Sequence, residues 1–220
     1  MAALRATGLH KNFGDHELLD GLDLEIEPGE TVVLRGPNGA GKSTLLGCLA
    51  GVVVPDRGRV LIDGHDLLAD PLPARRALRY LPQEVEVPPG VSGQELLRLW
   101  ADVFGAPSID TAAAATGLGD ALPRLATTYS VGMRRLLAFG SVMLGDAKLL
   151  VLDEPFAGVD DEGRARMRKA LVARRDTGSA IVLATHGHDV EALDELSPRQ
   201  LRLGGPLTVD DDAGADDSRP

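Results

Sequence analysis

Residues 36–43 read Gly-Pro-Asn-Gly-Ala-Gly-Lys-Ser, one residue after the run Thr31-Val32-Val33-Leu34. No other stretch restricts the fold so sharply. Glycines at 36, 39 and 41 let the backbone curl without β-carbon clashes, so that successive N–H groups can point at one anion. The run before them has the composition of a buried strand, entered from the Pro28-Gly29 turn. From about Lys42 to Ala50 the chain reads as a helix, whose N-terminus would face the same anion. The whole fits the phosphate-loop pattern G-x-x-x-x-G-K-[ST]. Lys42 then supplies positive charge for the β- and γ-phosphates of a nucleotide, and the Ser43 hydroxyl is placed to ligate Mg²⁺. A glycine-rich turn without a ligand is the plain alternative, and the flanking strand and helix weigh against it.

The rest of the chain alternates strands with helices, which predicts an α/β fold with a mainly parallel sheet. Arg59–Ile62 reads as a short strand closed by Asp63-Gly64, and Arg79–Leu81 as another ending at Pro82. Strands return at 148–152 and 179–184, joined by a helix over about 161–176. The region between differs. Ser92-Gly93-Gln94-Glu95 resembles a capping box, and Leu96, Leu97, Leu99, Trp100 and Val103 follow at helical spacing. A helical subdomain over about 84–145 is expected, inserted into the core.

Composition bounds the rest. The chain has 220 residues, 44% hydrophobic and 25% charged, which is globular. No run reaches the roughly 18 apolar residues a membrane helix needs. The N-terminus lacks the apolar core of a signal peptide. A single cysteine, Cys48, excludes an intramolecular disulfide and fits a reducing compartment. A cytosolic protein is expected, reaching a membrane only through a partner. The net charge of −10 argues against a nucleic-acid binder. Five aspartates between 210 and 217 make residues 206–220 an acidic tail, expected to be disordered.

The apolar run Leu149-Leu150-Val151-Leu152 ends in Asp153-Glu154. A strand ending in an acid is common and means little alone. Beside a phosphate loop it becomes the second anchor for Mg²⁺, at Asp153, with Glu154 placed to polarise an attacking water.

At this point the sequence resembles the ATP-binding cassette (ABC) ATPases, over about residues 3–205. Leu149–Pro155 looks like that family's Walker B segment, with Glu154 as catalytic base. The resemblance makes Gly36, Pro37, Asn38, Gly39, Ala40, Gly41, Lys42, Ser43 and Thr44 the phosphate-binding segment. It makes Gln83, in Leu-Pro-Gln, the Q-loop residue that touches Mg²⁺ or the water. It places Asp160 in the D-loop and His186, in Ala-Thr-His, as the switch histidine. Phe13 takes the place of the aromatic that stacks on adenine. Read without the resemblance, Gln83 is a solvated loop residue, Phe13 a core aromatic, and His186 with His188 a possible pair of metal ligands. The usual L-S-G-G-Q signature is altered here to Tyr129-Ser130-Val131-Gly132-Met133, followed by Arg134-Arg135. Ser130 and Gly132 remain, and the variant resembles cassettes of ABC-2-type exporters.

The resemblance implies a P-loop fold with an N-terminal antiparallel β part. It implies Mg²⁺ and ATP buried in a head-to-tail pair of cassettes, homomeric or heteromeric. Ser130 and Gly132 of one chain would face the nucleotide of the other. It further implies separate membrane-spanning permease subunits and a place on the cytoplasmic side of the membrane, with no direct contact to nucleic acid. A soluble ABC ATPase acting on nucleic acid or ribosomes is the alternative, and an ATP sensor without turnover is a third reading.

Overall fold

The computed structural model describes residues 1–14, 16–185 and 193–203, and the backbone of 208–209. Two sheets organise them. The first contains β1 (Leu4–Phe13), β2 (His16–Ile26), β4 (Arg57–Ile62) and β5 (His65–Asp66) in the order β2-β1-β4-β5, all antiparallel. The second contains β3 (Thr31–Arg35), β6 (Leu78–Leu81), β7 (Leu149–Asp153), β8 (Ala180–Ala184), β9 (Arg199–Arg202) and β10 (Thr208–Val209). Its order is β10-β9-β3-β8-β7-β6, parallel except where β10 meets β9. Thr208–Val209 lie within the stretch expected as a disordered tail and instead pair along β9. The remaining tail residues lie outside the described ones.

Strands β3, β7 and β8 carry almost unbroken apolar runs because helices and the first sheet cover both their faces. Successive side chains point to opposite faces. Leu149 and Val151 therefore join the core shared with Leu4, Ile26, Ile62, Leu45 and Leu49, the last two from helix α1 (Lys42–Ala50). Leu150 and Leu152 join the opposite core, with Phe139, Phe156, Met167 and Leu171. Each fully buried side chain of this kind contributes roughly 1.5–3 kcal/mol. Between β5 and β6 a short helix, α2 (Pro71–Arg76), starts with proline in its first turn, where a missing N–H costs nothing.

The inserted helical part holds α3 (Gly93–Phe104), α4 (Asp110–Thr116) and α5 (Val131–Val142), with a core of its own around Leu97, Ala112, Leu122, Tyr129 and Leu137. The expected capping box is formed: Glu95 N–H donates to Ser92 Oγ at 3.2 Å, and Ser92 N–H donates to Glu95 Oε2 at 2.8 Å. Of the apolar residues at helical spacing on α3, Leu96 and Leu97 are buried. Leu99, Trp100 and Val103 are exposed. Helix α6 (Asp161–Asp176) returns the chain to β8.

Because β3, β8, β7 and β6 are parallel neighbours, the loops leaving β3, β6 and β7 open on one edge of the sheet. In such sheets that edge holds the ligand crevice.

Candidate active site

The segment leaving β3 turns at Gly36 and reaches α1 through Gly41, which has φ +90 and caps the helix from the left-handed region. A side chain at Gly41 would be strained there and would also press on the Leu18 backbone, whose carbonyl oxygen lies 3.3 Å from the position of a β-carbon. No side chain caps α1, so its first N–H groups remain available to an anion. Lys42 is 7% exposed, and its Nζ donates to the carbonyls of Gly36 at 2.8 Å and Pro37 at 2.9 Å. These bonds hold the ammonium inside the arch of the loop, where an incoming phosphate would find it.

Asp153 ends β7, 2% exposed and paired in register with Ala184 of β8. Glu154 follows with its N–H donating to the Ala184 carbonyl at 2.9 Å and with φ +47, a left-handed conformation unusual for glutamate. The backbone thereby turns sharply at the strand end and keeps the Glu154 side chain half-buried at the crevice instead of continuing the strand alternation. Gln83 arrives from β6, whose register against β7 places Leu81 beside Leu152.

These segments enclose a cavity of about 320 Å³, within the usual size of small-ligand pockets. Its walls are Asn38, Gly39, Gly41, Lys42, Ser43 and Thr44 of the loop, with Gln83, Glu154 and Leu18. Gly36, Pro37 and Ala40 belong to the same loop without lining the cavity, and Asp153, buried at the end of β7, does not line it either. A hard donor set, a serine hydroxyl and carboxylate oxygens beside a phosphate cradle, fits Mg²⁺.

The other expected site residues sit elsewhere. Phe13 is half exposed at the end of β1, does not line the cavity, and has Lys11 Nζ 5.3 Å from its ring centre. Ser130 caps α5, its Oγ accepting from Met133 N–H at 3.2 Å. Gly132 lies in the first turn of that helix, and neither residue reaches the cavity of its own chain. Asp160 is exposed and caps α6, accepting from Gly163 N–H at 2.8 Å. His186 lies outside the described residues.

Two contributors escaped the sequence reading. Leu18 enters the wall from β2, with nothing in its neighbourhood to signal it. Arg135, 6% exposed, donates to the carbonyls of Pro82 at 2.6 Å and of Gln83. Its only trace in the sequence is an arginine on the buried side of a helix.

A phosphate loop, a strand-end Asp-Glu pair and a helical insertion on a mainly parallel sheet define a P-loop nucleotide-binding protein. The profile of the family described as ABC transporter matches residues 19–157. The daunorubicin/doxorubicin resistance ATP-binding protein DrrA of Streptomyces peucetius is 37% identical over 203 residues, covering 90% of this chain and 61% of that protein. The cytochrome c biogenesis ATP-binding export protein CcmA of Ruegeria pomeroyi is 34% identical, covering 96% of this chain and 98% of its own. A solved ATP-binding subunit of an ABC transporter superposes with a TM-score of 0.83 at 25% identity, over 91% of this chain and 85% of that one. The chain belongs to the ABC transporter family, among its ATP-binding chains. It spans about three-fifths of the length of several curated relatives it matches, DrrA included.

Proposed function

We propose that the chain binds ATP with Mg²⁺ and hydrolyses it to drive export through separate membrane-spanning subunits. One observation carries this reading: Lys42, Ser43, Gln83 and Glu154 line a single cavity although they come from three separate loops. The loop N–H groups and Lys42 cradle the phosphates and offset their charge. Ser43 and Asp153, with Gln83, would hold Mg²⁺, which would supply positive charge against the phosphates. Glu154 accepts a proton from the attacking water, and His186 supports that water from the γ-phosphate side. Phe13 stacks on the adenine.

Ser130 and the first N–H groups of α5 complete the site of a second cassette, which makes the active unit a head-to-tail dimer. Asp160, at the start of α6, links the two sites. The single domain extends over about 1–205.

The permease docks on the groove between α3 and the segment after Gln83. That groove encloses about 400 Å³ and is lined by Val85, Val87, Leu99 and Trp100, with Glu84 and Glu86 beside them. An exposed apolar patch rimmed by acids suits an amphipathic cytoplasmic helix with basic residues. No helix of the described residues is long and apolar enough to cross a membrane, which fits a peripheral position on the cytoplasmic face.

Glu154→Gln tests the reading. The variant keeps ATP affinity and loses steady-state hydrolysis; normal turnover in that variant removes Glu154 from the chemistry.

A further inference from the structure

Arg135 lies five residues beyond the Ser130 cap, about one and a half turns along α5. It is one of the few charged side chains buried in the described structure. One η nitrogen donates to the Pro82 carbonyl at 2.6 Å and the other to the Gln83 carbonyl. Those two residues form the exit of β6, and Gln83 lines the nucleotide cavity. The charged groups that face the guanidinium are Asp153 and Glu154. Burial pushes its pKa down, and these two carboxylates push it back up. One side chain of the signature helix therefore meets the Q-loop backbone and the field of the Asp153–Glu154 pair. The neighbouring Arg134 donates to the Tyr129 carbonyl at 2.8 Å, fastening the start of the same helix.

We propose that Arg135 is a positioning residue that ties the signature turn to the Gln83 loop. Movement of Ser130 toward a nucleotide held by a second chain is then transmitted to Gln83. The proposal rests on the hydrolytic reading above and deepens it. A guanidinium suits the task because its rigid, planar fork reaches two successive carbonyls at once and stays charged when buried. Hydrogen bonds to a charged donor are also stronger than neutral ones. A lysine offers a point charge on a flexible stem and cannot fix both carbonyls in one geometry. If Arg135 merely filled space, a side chain of similar length would serve as well.

The test compares Arg135→Met and Arg135→Lys with the parent chain in Mg²⁺-ATP. Misplacing a water-orienting loop by about 1 Å costs up to roughly 100-fold in rate. We expect kcat to fall about 30-fold for Arg135→Met and about 10-fold for Arg135→Lys, with KM for ATP within about threefold. Combined with Gln83→Ala, Arg135→Met adds little to the loss from Gln83→Ala alone, because both act through one loop. Amide exchange across 82–86 in the ATP-bound variants quickens by about tenfold. Parent-like kcat and exchange in Arg135→Met, or losses that multiply with Gln83→Ala, overturn the proposal. If Arg135→Met fails to fold, Arg135→Lys decides by the same readings. Glu154→Gln, assayed in parallel, separates the two levels. Normal hydrolysis there sinks the hydrolytic reading itself, whereas its loss beside unaffected Arg135 variants sinks only the positioning role.

Discussion

A β-carbon built on Gly132 would lie 2.5 Å from the carbonyl oxygen of Gly158. The signature turn therefore rests directly on the backbone of the segment that follows Glu154, with no space for a side chain between them. That segment is short and held at both ends. Glu154 N–H is tied to β8, and Asp160 caps α6. The strand end proposed to be catalytic and the turn proposed to face a second chain are thus joined through one backbone contact.

Replacing Gly132 by alanine forces that contact apart. The neighbour is main chain and cannot swing away, so overpacking of about 1–3 kcal/mol is expected. It should appear as a melting temperature several degrees lower and a turnover loss larger than that of Val131→Ala, whose side chain points outward. A Gly132→Ala protein that melts with the parent would show that the 156–160 segment yields freely.

Glu154, the proposed base, also carries backbone strain. Its φ of +47 costs a non-glycine residue about 1–2 kcal/mol. Glu154→Gly relieves this strain, and Glu154→Ala keeps it while removing the same carboxylate. The glycine variant should be more stable than the alanine variant by about 1 kcal/mol after the greater flexibility of unfolded glycine is counted. Neither should hydrolyse ATP. Equal urea midpoints for the two would mean that the turn is not strained.

Much of this was legible in the sequence where a local signal and the fold agree. Helix α1 keeps the expected bounds, Lys42 to Ala50, because Gly41 and Gly51 mark both ends with left-handed backbone. Strands β7 and β8 follow their apolar runs to within a residue. What was not legible depends on neighbours far along the chain. Long strands β1 and β2 carry glycines and irregular pairing, so their alternation is broken and only the family resemblance announced them. The order β3-β8-β7-β6, which brings Gln83 and Glu154 against Lys42, has no local signal. Leu99, Trp100 and Val103 have the spacing of a core face, but no described residue buries them. Arg135 was invisible because its partners are backbone carbonyls, which any residue offers.

Cys48 sets an alkaline limit on stability. Burial pushes its thiol from 9.0 up to about 11. The folded state therefore holds the proton more tightly than the unfolded chain. Its contribution is complete below about pH 9 and is lost as the pH rises through 11. Two units correspond to about 2–3 kcal/mol as an upper bound. Cys48→Ala starts with a small packing loss, yet its urea midpoint should fall less than the parent's between pH 8.5 and 10.5, a window chosen around about pH 9.5. Parallel curves for the two proteins would refute the assignment. The native thiol should also resist iodoacetamide at about pH 8 and react on unfolding.

Val131 is the departure in the signature that the structure makes easiest to judge. It is 66% exposed at the first position of α5, and its backbone N–H belongs to the first turn, capped by Ser130 at Met133 N–H, that a phosphate would approach. The isopropyl group removes no donor; it adds bulk at the helix start, and in the proposed closed pair of cassettes that bulk would stand between α5 and the opposite nucleotide. Val131→Gly should therefore strengthen ATP-dependent pairing. Relief of about 1 kcal/mol corresponds to roughly a fivefold tighter dimer. The chain alone should be no more stable, because glycine in a helix costs up to about 1 kcal/mol. The comparison is best made in the Glu154→Gln background, where bound ATP persists, by sedimentation with and without Mg²⁺-ATP. Stronger pairing without ATP would point to ordinary apolar contact. Unchanged pairing with ATP would show that the signature closes around valine as readily as around glycine.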